Sequence, residues 1–201
     1  MTFSKRQGEI FDSNQFLFNS PQNSEGVLFT SNSIKNWQKR IHSHQTKYFK
    51  GGQQINSQTS LFEKRAPECL INKFEPLILT PLPINFWRLS KPYHQGPAIY
   101  VVMDLFDPKE GQSLILYLGE TIAADQRWKG DHDCKTYLNN YCSLLQKAGI
   151  SHQLSIRFWT DVPKKTTARR KLEQDLIQRW LPPFNKETRT RWQTPFTTDI
   201  N

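Results

Sequence analysis

The chain has 201 residues, a formal net charge of +9 and a hydrophobic content of 36%. That is enough for one domain with its own core plus an extension. No apolar run reaches the roughly 18 residues of a membrane-spanning helix, so no membrane is expected. Cys69, Cys134 and Cys142 are odd in number and widely spaced. They suit neither a disulfide framework nor a zinc site, and fit a reducing compartment. The N-terminal residues lack the apolar stretch of a signal peptide, which makes the expected location cytoplasmic. A sequence pI near 9.5 favours polyanionic partners, nucleic acid above all.

Residues 1–32 are rich in Ser, Asn and Gln and read as extended or partly ordered. Ser33 is a candidate cap for a helix from about Ile34 to Phe49, with Ile34, Trp37, Ile41 and Tyr48 on one side and Gly51-Gly52 as its stop. Lys35, Lys39, Arg40 and Lys47 give this helix a basic face. That pattern reads first as the solvated side of a helix docked on the core and second as a DNA contact. His42 and His44 are two apart and do not share a helix face, which argues against a metal pair. Residues 66–97 contain Pro67, Pro76, Pro81, Pro83, Pro92 and Pro97 and read as a connector that packs Ile78, Leu79, Phe86 and Trp87 on the domain behind it. Pro-Leu-Pro at 81–83 is excluded from a central strand. A boundary near residue 92 leaves 1–92 as an extension or small accessory region and 93–201 as the main domain.

Beyond that boundary the pattern sharpens. Ala98 to Asp104 and Ser113 to Leu118 are apolar runs joined by Asp107-Pro108-Lys109-Glu110-Gly111, a turn signal, and predict a β-hairpin. Helices are expected near 122–130 and 134–147, the second with Tyr137, Leu138, Tyr141, Leu144 and Leu145 on its apolar side. Leu154, Ile156 and Phe158 alternate in a third strand from Gln153 to Thr160. Thr166 or Thr167 caps a last helix to about Leu181, closed by Pro182-Pro183. The order ββααβα predicts an α+β fold with a small antiparallel or mixed three-stranded sheet flanked by helices.

Several residues in this region carry chemistry. Tyr100 and Tyr117 fall on the two arms of the hairpin, Arg127 lies ten residues after Tyr117, Glu173 lies in the last helix, and Asn185 lies twelve residues beyond it. Singly each has an ordinary role. Strand tyrosines pack, a lone arginine is a surface charge, and asparagine after prolines is a turn residue. A glutamate beside Arg169, Arg170 and Lys171 is usually a weak surface ion-pair partner. Together they suit phosphodiester hydrolysis, with a carboxylate for a divalent metal, a guanidinium for phosphate oxygens and tyrosines for the attacking water. Residues 164–191 hold nine Lys/Arg against three acids, a basic stretch around Glu173.

The runs Ala98-Ile99-Tyr100 and Tyr117-Leu118-Gly119, followed in order by Arg127, Glu173 and Asn185, resemble the signature of the GIY-YIG nuclease superfamily over about residues 96–186. The match departs in three places. Ala98 replaces a glycine (with Gly96 two residues upstream), the loop between the motifs is long, and Glu120 follows the second motif. A carboxylate there would repel phosphate unless it is paired or turned away. The resemblance implies a metal-dependent DNA endonuclease, with Mg²⁺ or Mn²⁺ at Glu173, Arg127 on the scissile phosphate, and Tyr117 as general base held by Tyr100. Asn185 completes the implied catalytic set, and Gly119 and His132 are accessory candidates. Lys164, Lys165, Arg169, Arg170 and Arg189 are expected along the DNA backbone. A structure-specific enzyme acting on branched or damaged DNA in repair or recombination is preferred over a restriction-type enzyme, a catalytically silent nucleic-acid-binding module or an RNA-processing factor. The expected setting is cytoplasmic and nucleoid-associated, with a homodimer if two strands are cut together.

Overall fold

Aliphatic and β-branched residues build the hairpin. Strand β1 (Ala98–Asp107) pairs antiparallel with β2 (Gln112–Thr121), as such side chains favour on a pleated, buried surface. The computed structural model describes residues 30–49, 68–88, 94–126, 128 and 133–194. At the hairpin tip Gly111 takes φ +66°, and the Glu110 amide donates to Asp107 Oδ1 at 3.3 Å. Strand β3 (Leu154–Trp159) joins the other side of β1, giving a three-stranded antiparallel sheet in the order β2-β1-β3. Around it lie three fifteen-residue helices, α1 (Ser31–Gln45), α3 (Asp133–Lys147) and α4 (Thr166–Trp180), and one helical turn, α2 (Glu68–Ile71). The fold is α+β. Among the described residues no helix is long and apolar enough to cross a membrane.

Both faces of the sheet are covered. Ala98, Tyr100 and Val102 pack with Ile34, Trp37 and Ile41 of α1 and with Leu138, Tyr141 and Leu145 of α3. The alternate residues Ile99, Val101 and Met103 pack with Leu172, Leu176, Ile177 and Trp180 of α4. The two-residue period of a strand therefore sorts β1 between two apolar clusters. This explains its run of fully buried residues from 98 to 104.

Strand β2 contains a bulge that decides where its side chains go. Val102 pairs with Tyr117 but Met103 pairs with Ile115, so Leu116 is the extra residue. Leu114, Leu116 and Tyr117 all lie with the α1–α3 cluster, whereas Ile115 and Leu118 face α4. Without the extra residue Tyr117 would share the face of Ile115 and point toward α4.

Among the described residues the outer edge of β2 has no partner strand, and side chains satisfy it instead. His42 Nδ1 donates to Ser113 O at 2.8 Å. Gln45 accepts from the Ile115 amide at 2.7 Å and donates to Ile115 O at 3.0 Å. At the bulge the Phe184 amide donates to Leu116 O, and past it Asn185 and Glu173 meet Leu118 and Glu120 as described below. On the opposite edge, Leu82 forms a two-way bridge with Ile156, at 2.9 Å each way. Arg157 Nη1 donates to the carbonyls of Pro76 and Leu77. Exposed pairing edges are thereby closed.

The element boundaries depart from the sequence expectation in four places. Thr30, not Ser33, caps α1, accepting from the Ser33 amide at 3.2 Å, and the helix gives way to a 3-10 turn over Thr46–Tyr48. Lys165 occupies the N-cap of α4 without a side-chain cap bond, so neither Thr166 nor Thr167 serves. Residues 122–126 form bends and turns instead of the start of a helix; the rest of that predicted helix lies outside the described residues. Ile78 is 75% exposed and does not pack, unlike Leu79, Phe86 and Trp87. Helix α4 stops at Leu181, whose φ of 47° is left-handed, directly before Pro182-Pro183. Its carbonyl is met by Trp192 Nε1 at 2.7 Å. The boundary expected near 92 falls outside the described residues, and the packing crosses it, because Ile34, Trp37, Ile84 and Phe86 share one cluster with the sheet.

Candidate active site

Four sequence candidates bear on one stretch of four residues, 117–120 of β2. Tyr117 is its first residue. Asn185 clasps the next, accepting from the Leu118 amide at 2.9 Å and donating to Leu118 O at 2.8 Å. Tyr100 lies over Gly119, its cross-strand partner. Glu173 Oε1 accepts from the Glu120 amide at 3.0 Å. The bulge at Leu116 brings Tyr117 to the Tyr100 face, where the rings stack with centroids 5.9 Å apart and planes at 26°.

Gly119 is required at its position by this approach. A Cβ there would come within 2.3 Å of Tyr100 Cζ and Oη, well inside contact distance. Tyr100 is fully buried while Tyr117 in front of it is half-buried, so of the two tyrosines Tyr117 is the one that reaches solvent. Behind Tyr100 stands Trp128, edge-on at 5.6 Å and itself buried. Sequence reasoning passed over Trp128, although it adjoins Arg127. It also passed over Lys135, which is only 6% exposed and places Nζ 5.1 Å from the Trp87 ring and 6.0 Å from the Trp128 ring. A lysine this buried is uncommon, and cation–π contact with two indoles offsets part of its desolvation.

Glu120 is the carboxylate that departs from the motif, and it is paired. Arg169 Nε donates to Glu120 Oε2 at 2.8 Å and Arg170 Nε to Oε1 at 3.2 Å. The Arg169 side chain is 0% exposed, and its remaining donors reach Pro163 O, Lys164 O and Thr166 Oγ1. A buried ion pair is tolerable when its spare donors are satisfied in this way. Arg169 and Glu173 stand four residues apart on one side of α4. The first holds the Glu120 side chain and the second its amide, so α4 is pinned to β2 at two points.

The remaining candidates scatter. Lys164 and Lys165 are exposed. Arg170 is exposed but engaged with Glu120, and Arg189 Nη1 donates to Tyr137 Oη at 2.9 Å. Burial removes Arg169 from the surface that the basic stretch was expected to present. Arg127 and His132 lie outside the described residues. Among the described residues no group of three or more His, Cys, Asp or Glu gathers to hold a metal, which leaves Glu173 as a single-carboxylate candidate. At the far end of β1 a second polar group is buried. Tyr141 donates to Asp104 Oδ2 at 2.6 Å, Gln38 Nε2 donates to Tyr141 Oη at 2.7 Å, and the Gln153 amide donates to Asp104 Oδ1 at 2.8 Å. Burial raises the Asp104 pKa despite these bonds, and it pushes the nearby Cys142 thiol up to about 12.

No family model, curated protein or solved structure matches this chain. What the site does must follow from its own residues.

Proposed function

We propose that this chain is a metal-dependent DNA endonuclease with a GIY-YIG-type site, acting by preference on branched or damaged DNA. The observation that carries the reading is the meeting of Tyr100, Tyr117, Glu173 and Asn185 on residues 117–120. These residues are far apart in sequence and of the types that phosphodiester hydrolysis needs.

Glu173 fits a Mg²⁺ or Mn²⁺ site. Its carboxylate is oriented by the Glu120 amide, and such ions commonly take one or two protein carboxylates and complete their shell with waters and substrate phosphate. Bound there, the ion supplies charge neutralisation and makes a water proton easier to remove. Tyr117, half-buried in front of the buried Tyr100, acts as its phenolate and takes the proton from the attacking water. That water adds to phosphorus as the P–O3′ bond breaks, and a proton from solvent on the departing O3′ leaves a 5′-phosphate and a 3′-hydroxyl. By the resemblance, Arg127, which lies outside the described residues, would lay its fork on the non-bridging oxygens. Pairing with Arg169 and Arg170 keeps the Glu120 charge from opposing the phosphate. Asn185 acts by positioning, since both its polar atoms are committed to the Leu118 peptide.

The deciding experiment incubates the full chain with labelled linear, nicked, flapped and four-way-junction DNA, with and without Mn²⁺. Metal-dependent cutting, strongest on the branched substrates, is expected. No cutting of any substrate at any Mn²⁺ concentration would overturn the reading.

A further inference from the structure

We infer that the outer face of α1 and the segment after α4 form one contact surface for the backbone of duplex DNA. Residues 30–49 contain no Asp or Glu, yet carry Lys35, Lys39, Arg40 and Lys47, all exposed. None of these four side chains makes a hydrogen bond or ion pair with any described residue. The same holds for exposed Lys186 and Arg191. Several cations elsewhere are engaged, Arg157 with backbone carbonyls, Arg169 and Arg170 with Glu120, Lys171 with Asp175, and Arg179 with Asn72, whereas exposed Lys73, Lys109, Lys164 and Lys165 stand apart from α1 without a side-chain bond to a described residue. What sets residues 30–49 apart is the grouping of four such cations on a segment with no acidic residue.

The two elements adjoin. The His44 ring packs on Trp192 at 5.9 Å, His44 Nε2 bonds Arg179 O at 3.0 Å, and Trp37 stacks on Phe184 at 6.4 Å. Both also line the outer edge of β2, α1 through Gln45 at Ile115 and the later segment through Asn185 at Leu118. The surface therefore borders the strand that carries Tyr117. Lys35 to Lys47 extends roughly 18 Å at helical rise, matching about five base-pair steps of duplex.

Nucleic acid fits this face better than an anionic membrane does. The other exposed positions of α1 are asparagine or serine, which bond phosphate oxygens, whereas membrane-surface helices insert apolar side chains. That the bound duplex is the one cut at Tyr117 rests on the reading above.

The test measures binding of a labelled duplex to the full chain in EDTA by fluorescence anisotropy, across roughly 50 to 300 mM salt, where phosphate contacts are resolved by slope. The variant Lys35→Gln/Lys39→Gln/Arg40→Gln/Lys47→Gln should lose about tenfold or more in affinity. Its log–log salt slope should fall by about 3.6, at about 0.9 for each of four phosphate contacts, with an unchanged melting midpoint. Lys186→Gln/Arg191→Gln should lose a smaller share, and arginine at Lys35, Lys39 and Lys47 should preserve the slope. Unchanged affinity and slope in the α1 variant would overturn the inference, as would binding of phosphatidylserine vesicles in preference to duplex. If wild type binds with this slope but never cuts with Mn²⁺, the surface stands and the nuclease reading falls. If wild type cuts and the α1 variant binds and cuts equally well, the surface falls and the nuclease reading stands.

Discussion

At the scale of single residues, the smallest side chain makes the most specific demand. Gly119→Ala places a methyl within 2.3 Å of Tyr100 Oη. Tyr100 is packed between Tyr117, Trp128 and Phe158 and has little room to yield. The variant should lose about 1–3 kcal/mol of stability, as overpacked cores do, and a larger share of cleavage because the tyrosine pair shifts. A melt and a single-turnover assay on the same preparation check both, and wild-type cleavage would show that the pair is not needed in this geometry. Glu173 separates two roles. Glu173→Gln keeps an oxygen for the Glu120 amide but loses the charge, so it should remain as stable as wild type and bind DNA while failing to cut. Glu173→Ala loses the anchor as well and should melt lower. Cleavage by the Gln variant within a few-fold of wild type would remove the metal from this residue. Asp104 gives a pH signature. Its folded pKa lies above the ordinary 3.8 because of burial, so the folded state holds a proton that the unfolded chain has already released. Stability contributed by this group is therefore greatest below pH 3.8 and declines as pH rises through the folded value. Asp104→Asn should flatten that part of the stability–pH curve in denaturant titrations, and an unaltered curve would mean that Asp104 does not titrate in that window.

At the scale of elements, the site depends on how β2 is held. The bulge at Leu116 puts Tyr117 on the Tyr100 face, and Asn185 and Glu173 fasten the strand beyond it. The Arg169–Glu120 pair ties the start of α4 to the end of β2 and so sets where Glu173 stands. Arg169→Met should cost about 3–5 kcal/mol, because it leaves Glu120 without its buried partner and two carbonyls without donors. Lys171→Met breaks a solvent-exposed i,i+4 pair and should cost under about 0.5 kcal/mol. Equal melting points for the two variants would show that the Glu120 pair has no special role in joining helix to strand.

At the scale of the whole molecule, the break in composition near residue 92 is not a break in packing. Ile34, Trp37 and Ile41 of α1 share a cluster with Tyr100 and Val102, and Gln45 satisfies both backbone groups of Ile115. A fragment of residues 93–201 should therefore fail to melt cooperatively, since it would expose that apolar face together with an unpaired strand edge. A cooperative melt near the full-length midpoint would mean that α1 is dispensable.

Local periodicity by itself determined the secondary structure that was legible: the hairpin, the third strand, α3, α4 and the α+β class. Alternation with period two and apolar spacing of three to four residues are properties of short segments. The residues of the candidate site were legible as types in an order. Their arrangement was not, because each decisive contact joins segments dozens of residues apart. The bulge depends on a one-residue shift of register between two strands, which leaves no mark in the composition of either. Arg169 and Arg170 are neighbours of the same type, and only the packing of α4 on β2 buries the first and exposes the second. Asn185 looked like a turn residue until the edge of β2 supplied its peptide partner. Tertiary structure decided these roles because satisfying a buried charge or a strand edge is a long-range requirement, and no local pattern encodes which distant residue will meet it.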